Sequence, residues 1–153
     1  MSDVWKRTLA SVPSPNASDP HGTAPGNRWD FSRWAPDALV VNLGTNDELN
    51  ARPSNVEAYN ATYLAMVTGA AAAYGPETHF FLACGPMSTA YCDEVHWVIA
   101  AALAAGVNAS FLDQRGFLDG SYGPSCCGHP SVEVDAAMAR NASAVIGHAM
   151  GWL

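Results

Sequence analysis

Pro36-Asp37-Ala38-Leu39-Val40-Val41-Asn42-Leu43-Gly44-Thr45-Asn46-Asp47 is the stretch that decides the fold. Ala38 to Leu43 is a short run rich in β-branched and aliphatic residues, bounded on both sides by turn formers. That is the pattern of a buried strand in a parallel sheet. The run breaks at Gly44, where the backbone can turn sharply, and the short polar side chains of Asn46 and Asp47 then sit at the strand's carboxyl end. In open α/β sheets that rim is where ligands bind, so Gly44 and Asp47 are candidate substrate contacts. Asn46 can aim a side-chain N–H at an oxygen that becomes negative during a reaction. The plainer alternative is a turn whose Asn and Asp bond only their own backbone.

The sequence beyond this stretch repeats the pattern. Ser54 and Glu57 form a capping box, and Val56, Tyr59, Tyr63, Met66, Val67 and Ala70 follow helical spacing until Gly75-Pro76. Thr78 to Cys84 reads as a second buried strand, ending in the turn Gly85-Pro86-Met87. Val95, Val98, Ile99, Ala102 and Leu103 mark a second helix closed by Gly106, and Val107 to Asp113 a third strand. A glycine-rich loop, residues 116–128, leads to a last helix that Pro130 begins, with Val134, Met138, Ala142, Val145 and Ala149 on one face. The order predicts an α/β fold: three layers, α/β/α, around a flavodoxin-like parallel sheet of which about three strands are present.

Before Pro36 the pattern is weaker. Val4, Trp5 and Leu9 have a loose helical spacing, and residues 13–28 are a Pro- and Gly-rich loop. Residues 1–35 therefore read as an amino-terminal extension and loop, and 36–153 as the α/β core, with no second domain. The first strand is apolar enough to be central, yet no earlier strand supplies its neighbour. The expectation is an incomplete sheet with an open edge at Val40, where chains would self-associate.

Composition narrows the partners. Apolar residues make up 49% of the 153, as in a globular chain. The net charge is −7 with only 7 Lys and Arg, and no basic run, which argues against nucleic acid or an anionic membrane as partner. No apolar stretch is long enough to span a bilayer. Four Asn-X-Ser/Thr sites, at Asn16, Asn60, Asn108 and Asn141, suggest a secreted or secretory-pathway glycoprotein, although no signal peptide opens the sequence. Four cysteines, Cys84, Cys92, Cys126 and Cys127, are compatible with bridges. The expected pairing is Cys84 or Cys92 with one of the later two; Cys84 as a plain core residue is the alternative.

A second polar group points to the same rim. His129, in Cys126-Cys127-Gly128-His129-Pro130, precedes the last helix and so also lies beyond the carboxyl end of the sheet. A neutral imidazole suits a general base near pH 7; its plainer role is to cap the helix. Cys126 or Cys127 as a thiol nucleophile fails on geometry, since residues two or three apart rarely reach attack position. Zinc on Cys126, Cys127 and His129 fails because adjacent cysteines fit tetrahedral ligation poorly. Trp29, Trp34, Tyr91 and Trp97 are candidates for an aromatic wall against a sugar ring, or for packing.

Trp29-Asp30-Phe31-Ser32-Arg33-Trp34-Ala35-Pro36-Asp37, then Leu43-Gly44-Thr45-Asn46-Asp47, then Gly128-His129-Pro130-Ser131-Val132, resembles the SGNH (GDSL-type) hydrolase superfamily, and within it the carbohydrate esterases of family two, which deacetylate polysaccharides. Trp5-Lys6-Arg7-Thr8-Leu9 resembles the segment that precedes the Asp-Phe-Ser stretch in that branch. The resemblance implies an ester hydrolase acting on a small or polysaccharide ester, with Asn46 as an oxyanion donor and His129 as the base; no metal or other cofactor is expected, and Trp97 stays a candidate sugar contact from the aromatic reading alone. The family's serine nucleophile and oxyanion glycine belong to earlier blocks, and the chain contains no Gly-Asp-Ser. The sequence thus reads as the carboxyl-terminal part of such a domain, inactive alone; a non-catalytic glycan- or protein-binding remnant is the alternative. A second departure is that Cys126 and Cys127 stand where the family commonly has the aspartate that orients the histidine; some members of the branch use a backbone carbonyl there.

Overall fold

Ala38 to Asn42 is indeed a strand, and it sits at one edge of a three-stranded parallel sheet. The computed structural model describes residues 29–49, 56–123 and 126–153. The strands are β1 (Ala38–Asn42), β2 (His79–Cys84) and β3 (Ala109–Asp113), in the order β1-β2-β3. Leu39 stands opposite Phe80, and Leu82 opposite Phe111. The helices are α1 (Thr45–Leu49), α2 (Val56–Tyr74), α3 (Cys92–Ala104) and α4 (Val132–Met150). The α/β architecture is the one the sequence implies.

β2 reads as an unbroken apolar run because both its faces are covered. Phe80, Leu82 and Cys84 pack with Leu39 and Val41 of β1 against Tyr63 and Val67 of α2 and Val95 and Val98 of α3. Phe81 and Ala83 turn the other way, with Leu112, onto Ala142, Val145, Ile146 and Met150 of α4. Phe80, Phe81 and Leu82 are fully buried. Each such side chain stabilises the fold by about 1.5–3 kcal/mol relative to an exposed one. β1 is covered less completely, and Val40 is 50% exposed.

Position along α4 matters for the site. Asn141 Nδ2 donates to the Asp113 carbonyl at the end of β3, 2.9 Å away. The residues after Asn141 cover the sheet, so the turns before it extend past the carboxyl edge, by about 14 Å from Asn141 back to Val132 at the usual helical rise. Val134 and Ala137 on that extension pack on Phe117, with Leu118 and Met138 alongside. Ser131 caps the helix, accepting from the Val134 N–H, and Gly151 closes it in the left-handed conformation.

Several sequence expectations need correction. Pro130 does not begin α4; it stands before the Ser131 cap. The Asn46 turn is itself a short helix. The disulfide joins Cys84 to Cys92, leaving Cys126 and Cys127 as free, exposed thiols. The end of β2 and the start of α3 meet across the Gly85–Tyr91 turn, so the nearer partner wins. Trp29 and Trp34 lie at the other end of the sheet: Phe31, in the 3-10 turn Phe31–Arg33, packs edge-on against Tyr74 at the carboxyl end of α2. Tyr91 is buried and stacked on Tyr59. These three therefore do not form one aromatic wall. Of the glycosylation sites, Asn108 is exposed, while Asn60 and Asn141 are half-buried within helices. Val4, Trp5, Leu9, Asn16, the 13–28 loop and the Ser54 cap lie outside the described residues.

If β2 is the core strand, Leu82→Ala should cost about 2–5 kcal/mol, whereas Val132→Ala, at an 80% exposed position, should change stability by less than about 0.5 kcal/mol. Urea unfolding of the two variants measures both.

Candidate active site

The carboxyl edge of the sheet is built around Gly44. With φ at 116°, it occupies backbone space that a side chain rarely tolerates, and an added Cβ would lie 3.0 Å from the Tyr59 hydroxyl oxygen and 3.2 Å from the Tyr91 ring. The two rings stack, centroids 4.4 Å apart, and form the floor beneath the turn. Tyr59 and Tyr63, one helical turn apart on α2, donate to the Leu43 and Val41 carbonyls at 3.3 Å each. Burial, the main cause, pushes both phenol pKa values up, so both stay protonated donors. Asn42 Nδ2 donates to the Gly85 carbonyl at 2.7 Å, tying the end of β1 to the end of β2. Asn42, Gly44, Thr45, Gly85, Ser88 and Tyr91 line a small cleft there. Asn46 and Asp47 follow at once, both exposed, at the second and third positions of α1.

His129 lies on the same carboxyl side, outside that cleft, at the projecting end of α4. Its position is set by a tight turn. Cys126 and His129 exchange both backbone hydrogen bonds, His129 N to Cys126 O at 2.9 Å and Cys126 N to His129 O at 3.3 Å. The two residues between, Cys127 and Gly128, have φ of 56° and 76°, the sign required by a type I′ turn. This geometry leaves the Cys127 carbonyl outside the turn's own pairing, and it lies 3.0 Å from His129 Nδ1. A carbonyl has no proton to give, so Nδ1 carries the hydrogen and donates it. The lone pair is then on Nε2, on an exposed ring. The Asp119 carboxylate, ten residues earlier, accepts from the Ser121 N–H at 2.8 Å.

The other candidates are elsewhere. Trp97 is half exposed on α3 and does not line the cleft. His79 and Ser110 are hydrogen-bonded at 2.8 Å, but at the start of β2 and near the start of β3, far along the strands from the carboxyl edge. Burial lowers the pKa of His79, which also stacks on Phe81. Among the described residues no three His, Cys, Asp or Glu side chains gather closely enough to hold a metal ion. The Cys126 and Cys127 sulfurs are 3.0 Å apart, and the hydrogen bond between them raises the Cys126 pKa. Sequence reasoning placed Tyr59 and Tyr63 on a helix face but missed their role beneath the Gly44 turn. The available signal was a pair of tyrosines four apart on the helix that follows the strand.

Comparison with known proteins adds relatives in sequence and structure. The chain is 30% identical over 135 residues to a cellulase/esterase, CelE, of Acetivibrio thermocellus, a match covering 83% of this chain and 16% of that protein. Its fold matches a family two carbohydrate esterase from Clostridium thermocellum in complex with cellohexaose, with TM-score 0.77, 28% identity, and coverage of 99% of this chain and 43% of the other. An active-site mutant of a family two carbohydrate esterase from the same organism matches at TM-score 0.78, with 28% identity and the same coverage. The chain thus spans about a sixth of the CelE sequence and less than half of the matched structures. No family model matches it.

The packing beneath Gly44 predicts a graded effect of added methyl groups. Gly44→Ala should destabilise by about 1–3 kcal/mol through strain and collision. Gly75→Ala, also at positive φ but with nothing within 4 Å of its added carbon, should cost about 1 kcal/mol. Chemical denaturation compares them, and equal losses would mean that the tyrosine floor does not constrain the turn.

Proposed function

Because the chain is related by sequence and by fold to the family two carbohydrate esterases, of the SGNH type, we propose that it is the asparagine- and histidine-bearing part of a carbohydrate esterase. The substrate is an acetyl or other short acyl ester on a polysaccharide. A serine from outside these 153 residues attacks the ester carbonyl, and His129 Nε2 takes its proton. Asn46 Nδ2 donates to the oxygen that becomes negative, alongside a glycine N–H from the same outside segment. Collapse of the intermediate expels the sugar hydroxyl, protonated by His129, and water then releases the acid by the same steps in turn.

The single observation that carries this reading is the His129 Nδ1 bond to the Cys127 carbonyl. It supplies the part of an orienting aspartate's work that concerns geometry: the tautomer is fixed and Nε2 is left as the proton acceptor. A carbonyl dipole stabilises the imidazolium less than a carboxylate would, so the histidine does its task with orientation more than with charge. The cellohexaose in the matched esterase supports a β-linked glucan chain as the surface on which the ester is borne. Cys84–Cys92 and the exposed Asn108 site support an oxidising, secretory compartment.

The absence of Gly-Asp-Ser from the sequence favours a second reading, a glycan-binding module without catalysis. Assay of a chromogenic acetate separates the two. The 153-residue chain alone should give no turnover above background. With the serine and glycine blocks supplied, turnover should appear, and Asn46→Ala should lower it about 100- to 1000-fold. Unchanged turnover in Asn46→Ala would remove that role; cellohexaose binding with no turnover in any form would favour the module. Among the described residues β1 has a neighbour on one side only, and that edge should make the chain alone self-associate, as light scattering would show, with Val40→Lys suppressing it.

A further inference from the structure

The thiols of Cys126 and Cys127 lie beside the hydrogen bond that orients the His129 ring, and neither is used by the esterase chemistry. Both are exposed and free, with their sulfurs 3.0 Å apart. Cys127 is also the one described residue other than glycine with φ in the left-handed region. The same φ belongs to the turn that presents the Cys127 carbonyl to His129 Nδ1. The Cys84–Cys92 bridge fits an oxidising setting, and such a setting offers these two thiols an oxidant as well.

We propose that Cys126 and Cys127 are a reversible redox site, whose closure to a vicinal disulfide turns the Cys127 carbonyl away from His129 and whose reduction to two thiols restores it. The oxidant is a low-molecular-weight disulfide. One cysteine thiolate attacks it, forms a mixed disulfide and releases one thiol. The second cysteine sulfur then displaces the other half as a thiol, giving its proton to solvent or to the leaving sulfur. Two cysteine thiols are oxidised to one Sγ–Sγ bond, and one small disulfide is reduced to two thiols.

The geometry explains both reversibility and effect. Consecutive Cα atoms are about 3.8 Å apart, whereas disulfide-linked Cα atoms usually stand about 4.4–6.8 Å apart. A bond between neighbours is therefore strained and readily reduced. Closing it draws the sulfurs from 3.0 Å to about 2.05 Å. The ring so formed contains the φ of Cys127 and the ψ of Cys126, so the strain of closing it falls on a torsion of the same turn. Cys84 and Cys92 are each only 5% exposed, so small thiols reach the later pair first.

The effect on turnover rests on the esterase reading; the sulfur chemistry and its effect on His129 do not. The 153-residue chain is equilibrated in glutathione buffers from oxidised to reduced, alkylated, digested and weighed. In parallel, the His129 ring nitrogens are followed by 15N NMR. The expected result is a peptide that is lighter by two hydrogens and unalkylated in oxidised glutathione, and alkylated at both sulfurs in reduced glutathione, with Cys84–Cys92 joined throughout. The Nδ1-protonated signature of His129 should dominate when reduced and shift on oxidation. Cys126→Ser should keep the reduced spectrum and lose the response. Two alkylatable thiols in every buffer, mixed glutathione adducts alone, pairing with Cys84 or Cys92, or identical His129 nitrogen shifts in both states would overturn the proposal. Failure of the esterase reading would appear only in turnover and would leave these readouts untouched.

Discussion

Parallel strands cannot be joined by a hairpin, and that constraint arranges the molecule. Each connection must cross a face of the sheet to start the next strand from the same end. β1, β2 and β3 consequently all finish on one edge, and the segments that follow them collect there. The turn at Gly44, the Gly85–Tyr91 turn with its cleft, and the loop leading to His129 share that side because of connectivity. Burial of both faces of β2, with Phe80 and Leu82 one way and Phe81 the other, holds the edge in place.

On that edge, two small devices shape the polar groups. Stacked Tyr59 and Tyr91 crowd a glycine at which any added carbon would be strained, which fixes where α1 and hence Asn46 begin. A turn with two residues at positive φ leaves one carbonyl exposed to the imidazole of His129. Both devices use backbone groups as the contact surface, with side chains holding them in place. The second is also where two unpaired thiols meet, which couples the histidine's orientation to the chemistry of sulfur.

Most of the fold was legible in the sequence. The three apolar runs became strands, and the helical spacings at Val56–Ala70 and Val95–Leu103 became α2 and α3, because burial imposes periods that residue type records. Positions set by tertiary contact were less legible. Cys84 chose Cys92 because a strand end and a helix start adjoin across a short turn. Trp29 and Trp34 went to the opposite end because Phe31 docks on Tyr74, a contact no local pattern announces. Asn46 and His129 were singled out through their positions relative to a strand and a helix; the Cys127 carbonyl was not identifiable, since every residue has one and backbone torsions decide where it points.

The central claim is that Asn46 and His129 serve one ester at this edge. The most direct measurement is a crystal structure of the serine-bearing esterase after reaction with an organophosphonate. The account predicts the phosphonyl oxygen within about 3 Å of Asn46 Nδ2, and His129 Nε2 within the same reach of the serine or leaving-group oxygen. A phosphonyl oxygen held entirely by other donors, with the His129 ring turned elsewhere, would contradict it.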